Sequence, residues 1–149
     1  MIYMYGFGQP WKTQYWSRKI MDRLYAATPD GYCGDEDNGQ MSAWYIFSAL
    51  GFYPLCPASN QYVFGSPLFR HAEMTLGNGC KVTVSAPDNS PENVYVNSIT
   101  VDGEDYDRNF ITYEMLGNGT EIKFEMSAKP ERSRGISAAD RPFSLSSRQ

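Results

Sequence analysis

Histidine is nearly missing from this sequence, which carries only His71 in 149 residues. The three cysteines, Cys33, Cys56 and Cys80, are odd in number, far apart and without a Cys-x-x-Cys pair. Without grouped imidazoles or paired thiols, a zinc site, a disulfide framework and a Ser-His-Asp or Cys-His mechanism all lack support. His71 itself lies in FRHAEM, which alternates like a strand, and reads as a surface position. A surplus of positive charge is absent too, since 13 Lys and Arg face 17 Asp and Glu for a net charge of -4. That balance gives no broad basic surface, so nucleic acid and anionic membranes are poor partners. No apolar run approaches the roughly 20 residues that a bilayer crossing needs, and the Met1 end has no basic segment followed by an apolar one. A signal for export is therefore not visible in this chain.

What the sequence has is enough apolar content, 42%, to bury a core. It also has many rings: aromatics make up 15%, including eleven Tyr and three Trp. Such rings build cores, and they also stack on sugar faces.

The first third reads as helical and the remainder as β, an α+β pattern. Pro10 opens a helix expected from about Trp11 to Ala27. Trp16, Ile20, Met21, Leu24 and Tyr25 share one arc of it, opposite Lys12, Arg18, Lys19, Asp22 and Arg23. On that wheel Trp16 is a core residue. Thr28-Pro29-Asp30-Gly31 supplies a turn. A second helix is expected from Asn38 or Gly39 to Gly51, with Asn38 as its N-cap and Gly51 at its C-terminal end. Between Gln40 and Leu50 it carries no charge and is apolar on every side, so it calls for burial. After Pro57 the period changes to two. Val82 and Val84, Val94 and Val96, Ile99 and Val101, then Ile111, Tyr113 and Met115, and finally Ile122, Phe124 and Met126 alternate with polar neighbours. Asn78-Gly79, Asp102-Gly103 and Asn118-Gly119 each suit a two-residue hairpin loop. The sequence thus divides into a helical part (residues 1–57), an antiparallel, sandwich-like β region (58–128) and an extended or disordered tail (129–149). Asn118-Gly119-Thr120 also fits the glycosylation sequon, which the hairpin reading already explains.

The chemistry concentrates where the two helices meet. Asp35, Glu36 and Asp37 stand in a row between Gly34 and Gly39, immediately before the uncharged helix. One reading is that one acid caps the helix and the others are solvated. The other is functional: the glycines permit a sharp path and close approach of a ligand, and the helix N-terminus favours the ionised carboxylate. Ionised acids suit a general base or a cation ligand. In a locally extended loop, Asp35 and Asp37 would share a side and together hold one water, with Glu36 pointing away. Two neighbours are weighed with them. Gln40 lies in the first helical turn, where its amide either reaches a sugar hydroxyl or satisfies the loop. Trp11 either lines a sugar site or anchors the start of its helix.

GQPWKTQ (8–14), IMDRLY followed by TPDGYCGDEDNGQMSAWYIFSALGFYPLCP (28–57), and YVFGSPLF (62–69) closely resemble the C-terminal part of the glycoside hydrolase family 92 α-mannosidases, and the Asp-Arg-Pro-Phe-Ser-Leu of the tail looks like that family's end. The resemblance covers nearly the whole chain, and GDEDNGQMSAWY is its most specific block. It implies an inverting, calcium-dependent exo-α-mannosidase acting on mannose-containing glycans such as N-glycans and mannans, often on α-1,2 linkages, in a periplasmic or secreted parent. In that family an N-terminal β-sandwich joins an (α/α)6 barrel, and the Asp-x-Asp that supplies the base falls here on Asp35 and Asp37. The family's general acid is an upstream Glu, and in this sequence no Glu precedes Glu36. The expectation is thus a C-terminal fragment: the last helices of the barrel followed by the β region, partnered by the rest of the barrel and inactive alone. The competing expectation is a non-catalytic carbohydrate-binding or interaction module. Exposed apolar surface on the fragment would favour a homo-oligomer, whereas a monomer with affinity for mannan would favour the module.

Overall fold

Pro10 occupies the first turn of helix α1 (Pro10–Leu24), where its missing N–H would have no partner anyway. The computed structural model describes residues 1–148. A six-residue 3-10 segment (Ile2–Phe7) precedes α1, and α2 (Gln40–Leu50) follows it across the acid-bearing loop. Eight strands come next: β1 (Phe52–Cys56), β2 (Gln61–Phe64), β3 (His71–Thr75), β4 (Lys81–Ser85), β5 (Tyr95–Val101), β6 (Glu104–Asp105), β7 (Phe110–Thr112) and β8 (Thr120–Ser127). A short helix, α3 (Tyr113–Gly117), lies between β7 and β8.

Helix α1 ends three residues before the expected Ala27 and buries a different face from the one its wheel offers. Thr13, Gln14, Ser17 and Met21 are buried, while Trp16 is 43% exposed and Leu24 45%. Trp16 is therefore not a core residue. The reason is close packing of small, satisfied polar groups: Thr13 donates to the Ile2 carbonyl at 3.1 Å, Ser17 to the Gln14 carbonyl at 3.0 Å, and the Gln14 side chain accepts the Val96 N–H at 3.1 Å. Polar groups so paired can be buried at little cost. Arg18 extends from the same helix to the Pro67 carbonyl (2.7 Å), Asn89 Oδ1 (2.5 Å) and the Ser90 carbonyl (3.2 Å). These bonds fasten α1 to the β region.

Helix α2 is framed by two left-handed glycines, Gly39 (φ 65°) and Gly51 (φ 94°). Gly39, not Asn38, is the N-cap residue. Only Ser48, Ala49 and Leu50 of its last turn are fully buried, and Ile46 is 57% exposed. The enclosure called for by its uncharged surface is thus missing along most of its length.

The strands form two sheets, ordered β1-β2-β7 and β3-β4-β8-β5-β6. Pairing is antiparallel except between β4 and β8, which run parallel, Val82 opposite Thr120 and Val84 opposite Ile122. The larger sheet is therefore mixed and not wholly antiparallel. Asp102 (φ 54°) and Gly103 (φ 85°) make the expected two-residue turn between β5 and β6, whereas β3 turns into β4 through three residues, Gly77-Asn78-Gly79, because the Leu76 N–H pairs with the Cys80 carbonyl. Asn118-Gly119 does otherwise. Tyr113 to Gly117 is helical, with Thr112 Oγ1 accepting the Met115 N–H, so Asn118-Gly119 is a helix exit and not a hairpin loop. An irregularity in register between Val96 and Ser98 joins the two expected Val94–Val96 and Ile99–Val101 stretches into one strand. The bulge shifts the side-chain phase, so that Val96, Ile99 and Val101 all face inward.

Leu50, Phe52, Phe64 and Ile111 meet Val82, Val84, Ile99, Ile122 and Phe124 in one core. Phe64 and Phe124 meet edge to face at 5.6 Å. Leu50 carries the end of α2 into that core. The last segment carries two 3-10 turns, Ala138–Asp140 and Leu145–Arg148, and is tied down: Asn109 Nδ2 donates to the Gly6 and Gly135 carbonyls, Arg134 to those of Tyr106 and Arg108, and the Phe143 N–H to Gln61 Oε1. His71 is exposed on the edge strand β3, and all three cysteines are free.

Candidate active site

The acids sit on a loop whose ends are pinned by aromatic residues. Tyr25, the residue that ends α1, bridges to Tyr32 in antiparallel fashion, and the Ala26 N–H donates to the Gly31 carbonyl at 3.0 Å, closing the Thr28–Gly31 turn. The Tyr25 ring lies between its neighbours: stacked on Trp44 at 5.7 Å, tilted against Tyr45 at 4.9 Å and edge-on to Tyr32 at 5.9 Å. Its hydroxyl donates to the Met41 carbonyl at 3.2 Å. Burial, with smaller contributions from Cys33 and Glu36, pushes the Tyr25 phenol up to about 12.

Beyond this anchor the three acids part company. Glu36 turns back onto the first turn of α2, where its two carboxylate oxygens accept the Ser42 N–H at 3.0 and 3.2 Å and Oε1 also accepts the Ser42 hydroxyl. It supplies the acceptor that Gly39 cannot. Asp35 and Asp37 are exposed, and among the described residues neither has a hydrogen bond to protein. The capping reading is met: one acid caps the helix, and the other two, Asp35 and Asp37, are exposed on either side of it.

Gln40 is exposed at the start of α2, and its amide donates to the Tyr53 hydroxyl at 3.2 Å. Tyr53 stacks on the buried Tyr3 at 5.1 Å, and Tyr3 donates to Ser48 at 2.8 Å. Burial holds the Tyr3 phenol well above its usual range. Gln40 is thus tethered beside the acids from the β1 side. Trp11 is elsewhere: it lies at the far end of α1, about 20 Å of helix axis from Tyr25, with the Arg132 guanidinium 5.9 Å from its ring. The structure gathers Asp35, Asp37 and Gln40 at one end of the helix pair and leaves Trp11 at the other. Sequence reasoning passed over Ser42, Tyr32 and Tyr53. The signal for Ser42 was a hydroxyl at the third helical position with an acid six residues before it.

Chemically, the loop offers two free carboxylates next to a helix N-terminus, suited to accepting a proton, orienting a water or contacting a cation. Among the described residues no three His, Cys, Asp or Glu side chains come together as a metal-holding set. A calcium ion needs roughly six to eight oxygens, and Glu36 is already engaged with Ser42. These residues alone do not fit a calcium site.

An α+β chain with two exposed carboxylates on a loop before a helix holds groups of the kind that carboxylate acid–base chemistry uses. Residues 1–128 match the catalytic domain of glycosyl hydrolase family 92. The chain belongs to that family and forms a portion of its catalytic domain. The family GH92 α-mannosidase BT3965 from Bacteroides thetaiotaomicron is 41% identical, with a TM-score of 0.93 over 97% of this chain and 20% of its own. The inverting mannosidase BT2199 from the same organism is 47% identical, with a TM-score of 0.91 and the same coverage. A secreted glycosidase from Arthroderma benhamiae is 31% identical over 79% of this chain and 16% of its own length. The chain therefore spans about a fifth of the structures that it resembles. Among the described residues no helix is long and apolar enough to cross a membrane.

Proposed function

We propose that this chain is the C-terminal portion of a calcium-dependent, inverting exo-α-mannosidase in which Asp35 and Asp37 are the base-side carboxylates. The observation that carries the proposal is the division of labour in the loop: Glu36 is spent on Ser42, while Asp35 and Asp37 stay exposed and unengaged. Two unengaged carboxylates can take a proton from a water and aim it at an anomeric carbon. Inversion requires a second carboxyl group across the scissile bond, roughly 6.5–9.5 Å away, to protonate the departing oxygen. The family resemblance puts the acid on a Glu upstream of the acid loop, and no Glu precedes Glu36 here; on that reading the acid comes from outside these residues and the chain by itself is inactive. Helices α1 and α2 are read as late elements of an (α/α)6 barrel, with the two sheets as the β region that follows. The substrate is a mannose-containing glycan, α-1,2-linked by preference, handled in a periplasmic or secreted parent. Calcium belongs to the complete enzyme, its ligands drawn from beyond this chain. Gln40, held beside the acids by Tyr53, is placed to contact a sugar hydroxyl; Trp11 lines the site only if another part of the enzyme meets the far end of α1.

The test is the anomer first released from an α-1,2-linked mannose disaccharide, followed by proton NMR. Two enzymes serve: the full-length protein, or BT2199 with its matching segment replaced by this chain. β-Mannose is the expected first product, and α-mannose would refute the inverting assignment. The isolated chain should release no mannose with calcium present; turnover would show that the acid lies within it.

A further inference from the structure

Ser42 lies at the crossing of the contacts that hold the acid loop. Its N–H and its hydroxyl both donate to Glu36, and the Tyr32 hydroxyl lies 3.3 Å from Ser42 Oγ. A serine hydroxyl has one proton and two lone pairs. With that proton given to Glu36, Tyr32 must be the donor of the third bond. One side chain on the first turn of α2 thus gathers the residue between the two aspartates and the residue five before Asp37. Tyr32 is in turn bridged to Tyr25, whose hydroxyl bonds Met41 next to Ser42. The loop is closed on itself and fixed to the helix at Ser42, whose hydroxyl alone meets both Glu36 and Tyr32 while its N–H adds a second hold on Glu36.

We propose that Ser42, with Glu36 and Tyr32, is the positioning centre for Asp35 and Asp37, setting where their carboxylates stand without touching substrate. This rests on the reading of the two aspartates as base-side residues. Glu36 is flanked by both of them, so its attachment fixes the backbone from which both project. Their own carboxylates have no such restraint. A base displaced by about 1 Å loses on the order of 10²-fold in rate, whereas the bound sugar, held by the rest of the site, is little affected.

The experiment uses an enzyme with this chain in place, the full-length protein or the BT2199 chimera, and follows hydrolysis of an α-1,2-linked mannose disaccharide. Ser42→Ala and Glu36→Gln should each lower kcat by about 10- to 100-fold with KM within about threefold. Ser42→Thr, which keeps the hydroxyl, should restore kcat to within about threefold of wild type, and Tyr32→Phe should cost less than Ser42→Ala. Unchanged thermal midpoints in Ser42→Ala and Ser42→Thr separate misplacement from unfolding. An unchanged kcat in Ser42→Ala beside an inactive Asp37→Ala overturns the positioning role and leaves the base assignment standing. Glu36→Gln as inactive as Asp37→Ala also overturns it, because Glu36 would then react itself. Near-normal rates in both Asp35→Ala and Asp37→Ala would remove the base reading and the positioning role with it.

Discussion

The two sheets close over what they bury, whereas the two helices do not. Ile111, Ile122 and Phe124 have no solvent exposure, while on the helices Trp16 is 43%, Leu24 45% and Ile46 57% exposed. The β half is a finished core that Leu50 of α2 enters. The helical half is held to it by polar fasteners, Arg18 and Gln14, and presents apolar side chains outward. The acid loop joins α1 to α2 and so belongs to the unfinished half. What the difference teaches is a separation of tasks: the sheets supply the closed core, and the helices carry the acid loop on an open surface.

That contrast can be broken or sharpened by urea unfolding of single variants. Phe124→Ala removes a ring that is edge-on to Phe64 and should cost about 3–5 kcal/mol. Arg18→Ala should cost about 2–3 kcal/mol, because the Pro67 and Ser90 carbonyls and Asn89 lose a charged donor. A loss below 1 kcal/mol would mean that the helices are not fastened to the sheets through Arg18. Ile46→Ala, on the open face of α2, should stay within about 0.5 kcal/mol in this chain. A cost like that of Phe124→Ala would show that the helical half is as closed as the β half. The smallest effect is electrostatic. Tyr25 ionises at about 12 against 10.0 for a free phenol, chiefly through burial. The fold thus favours the neutral ring, a contribution present in full below pH 10 and lost as the pH rises through about 12. Phenolate absorbance of wild type against Tyr25→Phe should show one late-titrating tyrosine; its absence would mean that the ring cluster is loose.

Much of this was legible in the residues. The helices, the Asp102-Gly103 turn and the alternating strands follow from local rules of period and turn chemistry. The departures come from contacts distant in sequence. The polar face of α1 is buried because Gln14 meets Val96, 82 residues away, which no helical wheel records. Tyr113 and Met115 continue a strand pattern, yet Thr112 caps a helix there. The bulge after Val96 exchanges inside for outside in a way that alternation alone cannot anticipate. At the site, Asp35, Asp37 and Gln40 stood out as acids and an amide at a helix start. Ser42, Tyr32 and Tyr53 did not, since hydroxyls at such spacings are common and only the folded loop makes them converge.

The central claim is that Asp37, with Asp35, activates the water that attacks the mannoside. The most direct test is the rate of α-1,2-linked disaccharide hydrolysis by Asp37→Ala in an enzyme carrying this chain, compared at saturating substrate with the unchanged enzyme. Loss of the proton acceptor should lower kcat by about 10²- to 10⁴-fold with the fold intact. A rate within about threefold of the unchanged enzyme would contradict the claim.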